Sequence, residues 1–188
     1  MSVRSTIALV SLAVAPVAHG AIDFTPSTGE RTLEGIRFTE LYFHENGRKI
    51  SYEQPRGWTY TGDAISIKFL PPDVRQAFAE ITQAPLPKPQ NFDDETTKRL
   101  QDKTMTFLSP DAGDVVVVSA EVNPLMINQH ETFEVILAFQ LYGEQYRQSV
   151  LFMNLPDTQL TFRVLSRKAD FEKLHRDFRG SLCSLQWL

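Results

Sequence analysis

The dipeptide Asn46-Gly47 sits between two runs that alternate apolar and polar residues, and this constrains the fold more than any other feature. Asn-Gly is the strongest short-range signal for a two-residue hairpin. Residues 36–43 alternate with one phase slip near Leu41, as a strand carrying a bulge does. The partner run, residues 49–53, sets Ile50 and Tyr52 on one face. Pro55-Arg56-Gly57 turns the chain, Trp58 and Tyr60 share a face, Thr61-Gly62-Asp63 turns it again, and Ile65, Ile67 and Phe69 alternate. Such a meander predicts antiparallel β-structure, with Ser66 and Lys68 exposed.

Pro71-Pro72-Asp73 ends that strand and predicts a helix start, because Val74, Phe78 and Ile81 fall on one helical face. Prolines at 85, 87 and 89 predict a stiff, solvated connector. Asp93-Asp94-Glu95 then opens a second helix reaching Thr106, acidic where the helix dipole favours acids. With Leu100 and Met105 as its long apolar residues, it belongs on the surface.

The second half is more apolar. Val115–Val118 is an unbroken β-branched run and residues 134–141 are nearly so, which predicts central strands covered on both faces. Gly143-Glu144 and Pro156-Asp157 are turns between further strands at 148–153 and 158–165. A closing helix begins near Ala169, with Phe171, Leu174, Phe178, Leu182 and Leu185 along one stripe. Strands, helices, strands and one closing helix make an α+β chain, an antiparallel sheet with helices packed on it. Strict βαβ alternation is missing, which disfavours a doubly wound nucleotide fold.

Residues 1–20 read as a secretory signal peptide: Arg4, a short apolar run at 7–17 broken by Pro16, and Ala18-His19-Gly20 before a cut after Gly20. The run is shorter than the ~20 apolar residues a spanning helix needs. Removing it leaves 168 of 188 residues and, with Arg4 gone, moves the net charge from −4 to −5. Residues 21–35, polar and carrying Pro26 and Gly29, read as a flexible N-terminal arm before a single domain at 36–188. The expected location is secreted or periplasmic, without membrane insertion. A mildly acidic chain has no global field to draw it to nucleic acid or an anionic membrane. The absence of an Asn-x-Ser/Thr acceptor fits a bacterial envelope protein.

No catalytic constellation emerges, and neither a cofactor nor a metal is expected. His130-Glu131-Thr132-Phe133-Glu134 superficially suggests a zinc peptidase, but the fifth residue is Glu134 where a second histidine is required. His175 and Cys183 lie eight residues apart on the closing helix, about 12 Å of rise, out of hydrogen-bond reach. Cys183 is the lone cysteine and is expected to be buried in that helix. Asp111-Ala112-Gly113-Asp114 is too sparse for a calcium loop. His44, at a hairpin end beside Glu45, reads as an exposed loop histidine that could titrate or bind metal weakly. Trp58 and Tyr60 could form a sugar or peptide platform, although aromatics in strands more often pack in cores. With His44 they make the candidate partner surface.

The hairpin leading into Pro55-Arg56-Gly57-Trp58, the step from Gln145-Tyr146-Arg147 into the strand at 150–153, and the helix from Ala169-Asp170-Phe171-Glu172 through Phe178-Arg179-Gly180-Ser181-Leu182 form one pattern. It resembles the PsbP-like α/β/α sandwich superfamily over residues 36–188. That resemblance implies a non-catalytic binding or assembly module, acting through a protein of the cell envelope, and carries no active-site residues. The alternatives are a small secreted hydrolase built from His44, His130 and carboxylates, and a small-ligand carrier with an apolar cavity between sheet and helix.

Overall fold

The computed structural model describes residues 21–188. The signal-peptide reading, residues 1–20, lies outside the described residues.

Strands β1 (Asp23–Leu33), β2 (Ile36–Glu45), β3 (Arg48–Tyr52) and the short β11 (Gln186–Trp187) form a four-stranded antiparallel sheet in the order β1-β2-β3-β11. The Asn46-Gly47 hairpin is present, with both residues at positive φ, 49° and 79°. Residues 21–35 are not a flexible arm: Asp23–Leu33 is β1, paired along β2. Its polar side chains conceal a strand whose buried contribution comes from its start, where Ile22 and Phe24 enter the core.

A second sheet takes seven strands in the order β4-β5-β6-β10-β9-β8-β7. These are β4 (Thr59–Gly62), β5 (Ser66–Leu70), β6 (Phe78–Pro85), β7 (Gly113–Val122), β8 (Thr132–Leu141), β9 (Glu144–Asn154) and β10 (Thr158–Arg167). Every pairing is antiparallel. The helix expected from Val74, Phe78 and Ile81 is instead a turn followed by β6. Asp73 and Gln76 take φ of 58° and 60°, incompatible with a helix. From Phe78 onward Ala79 and Ile81 are buried on one face and Glu80 and Thr82 lie on the other, between β5 and β10. Three apolar residues at helical spacing are too few to outweigh two strand partners. Pro85 ends β6, and the connector after it is anchored by Leu86, which is buried and donates its N–H to the Asp157 carbonyl.

Helix α1 (Asp94–Met105) covers one face of the larger sheet. Asp93 caps it, its carboxylate accepting from the Thr96 N–H at 2.8 Å. Leu100 is its buried apolar residue and packs against Phe133, Val135, Leu137, Val150 and Phe152. Helix α2 (Lys168–Leu182) lies with the smaller sheet on the opposite face. It follows β10 directly and buries Phe171, Leu174, Phe178 and Leu182 of the predicted stripe, while Leu185 is buried beyond the end of the helix. The layers are thus helix, sheet, then helix beside a second sheet. The fold is mostly antiparallel β with two helices among the described residues, richer in sheet than an α/β/α sandwich.

A line of aromatic contacts ties these layers together. Phe24 meets Phe43 (5.3 Å), Phe43 meets Tyr52 (6.3 Å), Tyr52 meets Phe69 (5.5 Å), Phe69 meets Phe178 (6.0 Å), and Phe178 stacks on Trp58 (6.3 Å). Each such pair adds about 0.5–1.5 kcal/mol beyond the area it buries. Tyr52 is fully buried with its hydroxyl 2.7 Å from Ser181 Oγ. Burial drives its phenol well above the usual range, against the opposing effect of that hydrogen bond.

Candidate functional site

β7 is the last strand of the larger sheet, hydrogen-bonded to β8 on one side and, among the described residues, to no strand on the other. This overturns the expectation that Val115–Val118 is a central strand. Val115, Val116, Val118 and Val122 are 38%, 59%, 48% and 50% exposed, while Val117 tucks against the cluster beneath α1. A β-branched run favours extended backbone wherever it lies, and its sequence does not say what covers it. By contrast, residues 134–141, read the same way, are buried or half-buried, none exposed, in β8 with a neighbour on each side. The register between β7 and β8 shifts at Gly113/Val116 and again at Val117/Ser119, then runs regularly from Ser119 to Val122. Asp114 takes φ of 51° at the first irregularity. Bulges of this kind twist an edge and blunt flat, edge-to-edge pairing.

Behind this edge lies an ionic cluster. Glu134 of β8 stands opposite Glu121 of β7, and its side chain is 4% exposed on the α2 face. Glu134 Oε1 accepts from Ser149 Oγ and lies 2.7 Å from His175 Nε2, while Oε2 accepts from Arg179 Nη1 at 3.3 Å. Burial pushes the Glu134 carboxyl up. The His175 hydrogen bond and charge, the Ser149 hydrogen bond and the Arg179 charge outweigh it and hold the group below the usual value. His175 stacks on Phe171 one helical turn earlier, at 5.1 Å and 13°. Arg179 also donates to the Pro124 carbonyl, tying down the loop after β7. Both carboxylate oxygens are engaged, and the space beside them is about 10 Å³, at most room for one water. The cluster clamps α2 to β8 and β9.

Sequence reasoning passed over this cluster. Its signals were Glu134, a lone charge within an apolar run, and His175 and Arg179 at i and i+4 on the closing helix.

Cys183 is exposed, not buried. It caps α2 one residue past Leu182, about 100° round the helix from the buried stripe. It lines a groove of about 440 Å³ with Leu125, Arg176 and Arg179.

The other candidates lie apart. Trp58 is 4% exposed in the core against Phe178, and Tyr60 packs on the same core, so neither forms an open platform. His44 is exposed in β2 beside Lys49 of β3 and Asp23 of β1. His130 lines a different feature, a cleft of about 380 Å³ at the β2–β3 turn with Glu45, Asp157 and Trp187. It closes a tight turn, Ile127–His130, whose central residues Asn128 and Gln129 have φ of 45° and 68°. The Trp187 indole donates to Glu45 Oε2 at 3.0 Å. His44 does not line this cleft. Among the described residues, no three His, Cys, Asp or Glu side chains converge as a metal site, and no helix is long and apolar enough to cross a membrane.

Neither a protein-family model nor a curated protein matches this chain. Solved structures do. The protein of unknown function PA94 from Pseudomonas aeruginosa superposes with a TM-score of 0.51 at 13% identity, over 85% of this chain and 96% of that one. A protein from Bacteroides thetaiotaomicron matches at TM-score 0.49 and 16% identity, covering 74% of this chain and 45% of its own. The cyanobacterial PsbP, CyanoP, from Synechocystis sp. PCC 6803 matches at TM-score 0.48 and 12% identity, covering 94% and 99%. The fold is shared with PA94, and the matches include a PsbP protein.

Proposed function

We propose that this chain is a secreted or periplasmic, non-catalytic binding module that acts through a protein partner of the cell envelope. One observation carries the reading: β7 offers ten residues of uncovered strand edge with exposed valines. An open edge takes up an extended segment of another chain through backbone hydrogen bonds, and side chains on the two faces select the sequence. The twin bulges oppose flat self-stacking while leaving Ser119–Val122 in regular register. The well-filled space under α2 leaves no room there for the several hundred Å³ a small-ligand carrier needs. The envelope location rests on the features of residues 1–20.

The test is site-specific photo-crosslinking in the native envelope, with the reactive group at Val118 or, as control, at exposed Lys98 of α1. A discrete crosslinked protein from Val118 and none from Lys98 is expected. No product at Val118, or the same products at both positions, would overturn the reading. The mass of the recovered protein reports processing, with Ala21 expected as first residue.

A further inference from the structure

β7 and the chain on either side of it carry charge of one sign, the nearby base being Arg179 of α2, which is engaged by Glu134 and the Pro124 carbonyl. Between Lys103 and Arg147 the chain has no Lys or Arg but six acids: Asp111, Asp114, Glu121, Glu131, Glu134 and Glu144. Three are engaged elsewhere. Glu134 is held by α2, Glu144 lies 4.0 Å from Arg167, and Asp111 accepts from the Tyr142 hydroxyl at 2.9 Å. Asp114, Glu121 and Glu131 have no ion pair or side-chain hydrogen bond among the described residues. They stand at the start of β7, near its end, and in the loop leading to β8, with the exposed valines between them. Glu121 also faces Glu134 across the strand pair, so its neighbour supplies a like charge rather than a base.

We propose that the segment received by β7 is extended and basic, with Lys or Arg alternating with β-branched residues, and that Asp114 and Glu121 select it. This rests on the edge-binding reading above. With its two bulges, β7 from Gly113 to Glu121 runs past six steps of β8, Gln140 to Glu134, about 20 Å, so a segment of about eight residues spans both acids. Its apolar side chains would lie on the α1 face beside Val117 and Val122, and its bases on the α2 face would meet Glu121, which has no other partner among the described residues. A second copy of this chain fits poorly. Two β7 strands would bring four carboxylates and no base to one seam, and like charges facing across strands are destabilising.

The experiment is fluorescence anisotropy with three labelled peptides of about eight residues, alternating Val or Thr with Lys, with Gln or with Glu. The Lys peptide should bind the protein about ten-fold tighter than the Gln peptide, and the Glu peptide should bind weakest. The preference should shrink from roughly 0.05 to 0.5 M salt as screening shortens the reach of the charges. Asp114→Asn with Glu121→Gln should erase the preference for Lys while keeping the affinity for the Gln peptide. Val118→Pro should remove binding of all three, with Ala120→Pro as the substitute should Val118→Pro fail to fold.

Equal binding of the three peptides, or a Lys preference that survives the double substitution, overturns the charge selection and leaves edge binding standing. No binding of any peptide, or binding untouched by proline in β7, overturns edge binding itself. Self-association through β7, seen in sedimentation and abolished by the proline variant, overturns the basic segment as occupant in favour of a second copy.

Discussion

The larger sheet ends in two edges, and they differ in how they are finished. β4, at one end, is four residues long, and β1 of the other sheet runs against it. The fit is close: a Cβ added at Gly62 would lie 2.7 Å from the Phe24 carbonyl oxygen, so a side chain there would force the sheets apart. The aromatic line from Phe24 to Trp58 seals the same corner. β7, at the other end, is ten residues long and, among the described residues, is covered by no strand on its outer side. One edge is protected by being short and covered, the other only by bulges and acids. The contrast teaches that stability and accessibility are divided between the two ends of one sheet.

The closed end should be the easiest to break. Phe178 is 2% exposed and joins Phe69 to Trp58, so Phe178→Ala leaves a cavity between α2 and both sheets. A loss of about 4 kcal/mol is expected in denaturant unfolding. A value below about 1 kcal/mol, typical of surface positions, would show that the aromatic line is dispensable.

Next comes the brace behind the open edge. Glu134→Gln should cost about 2–3 kcal/mol at neutral pH, because Arg179 and His175 lose a carboxylate that few other groups can replace. The gap between wild type and variant should depend on pH. The folded carboxyl titrates below the unfolded one. Its contribution is therefore complete above the unfolded value, about 4, and vanishes as pH falls through the folded value. The gap between the unfolding midpoints of the two proteins should narrow as pH falls from 7 toward about 3. A constant gap would mean that the charge of Glu134 is not what the brace uses.

Gly62→Val sharpens the comparison at the closed edge. Overpacking there should cost about 2 kcal/mol, read as a lowered melting temperature. The smallest effect belongs to the open edge. Val118→Lys should change stability by less than about 0.5 kcal/mol, since 48% of Val118 already faces water. A larger loss in the same melting experiment would show that β7 is covered in the free protein.

Much of the fold was legible in local chemistry. The Asn46-Gly47 turn, the Asp93 cap with its acids, and the stripe from Phe171 to Leu182 each state a local geometry that neighbours reinforce. β1 and β6 were not legible, for opposite reasons. β1 has few apolar residues and is a strand because β2 pairs with it along most of its length. β6 shows a short helical spacing by coincidence, and positive φ at Asp73 and Gln76 with partners on both sides decide otherwise. Of the candidate surface, His44 was rightly placed outside, but Trp58 went to the core, where a large aromatic gains more by burial than by display. Glu134 lies more than forty residues from His175 and Arg179 along the chain, and only the packing of α2 on β9 and β10 brings them together.

By itself the sequence determined that the chain builds antiparallel strands with helices laid on them, because turn residues and side-chain periodicity act over a few residues. It also determined that residues 104–146 carry acids and no Lys or Arg. The tertiary structure alone decided which strand became the edge. Val115–Val118 and residues 134–141 read alike as sequence, yet one is exposed and the other buried. The physical reason is that β-branched residues specify extended backbone, whereas burial depends on what the rest of the chain places against them.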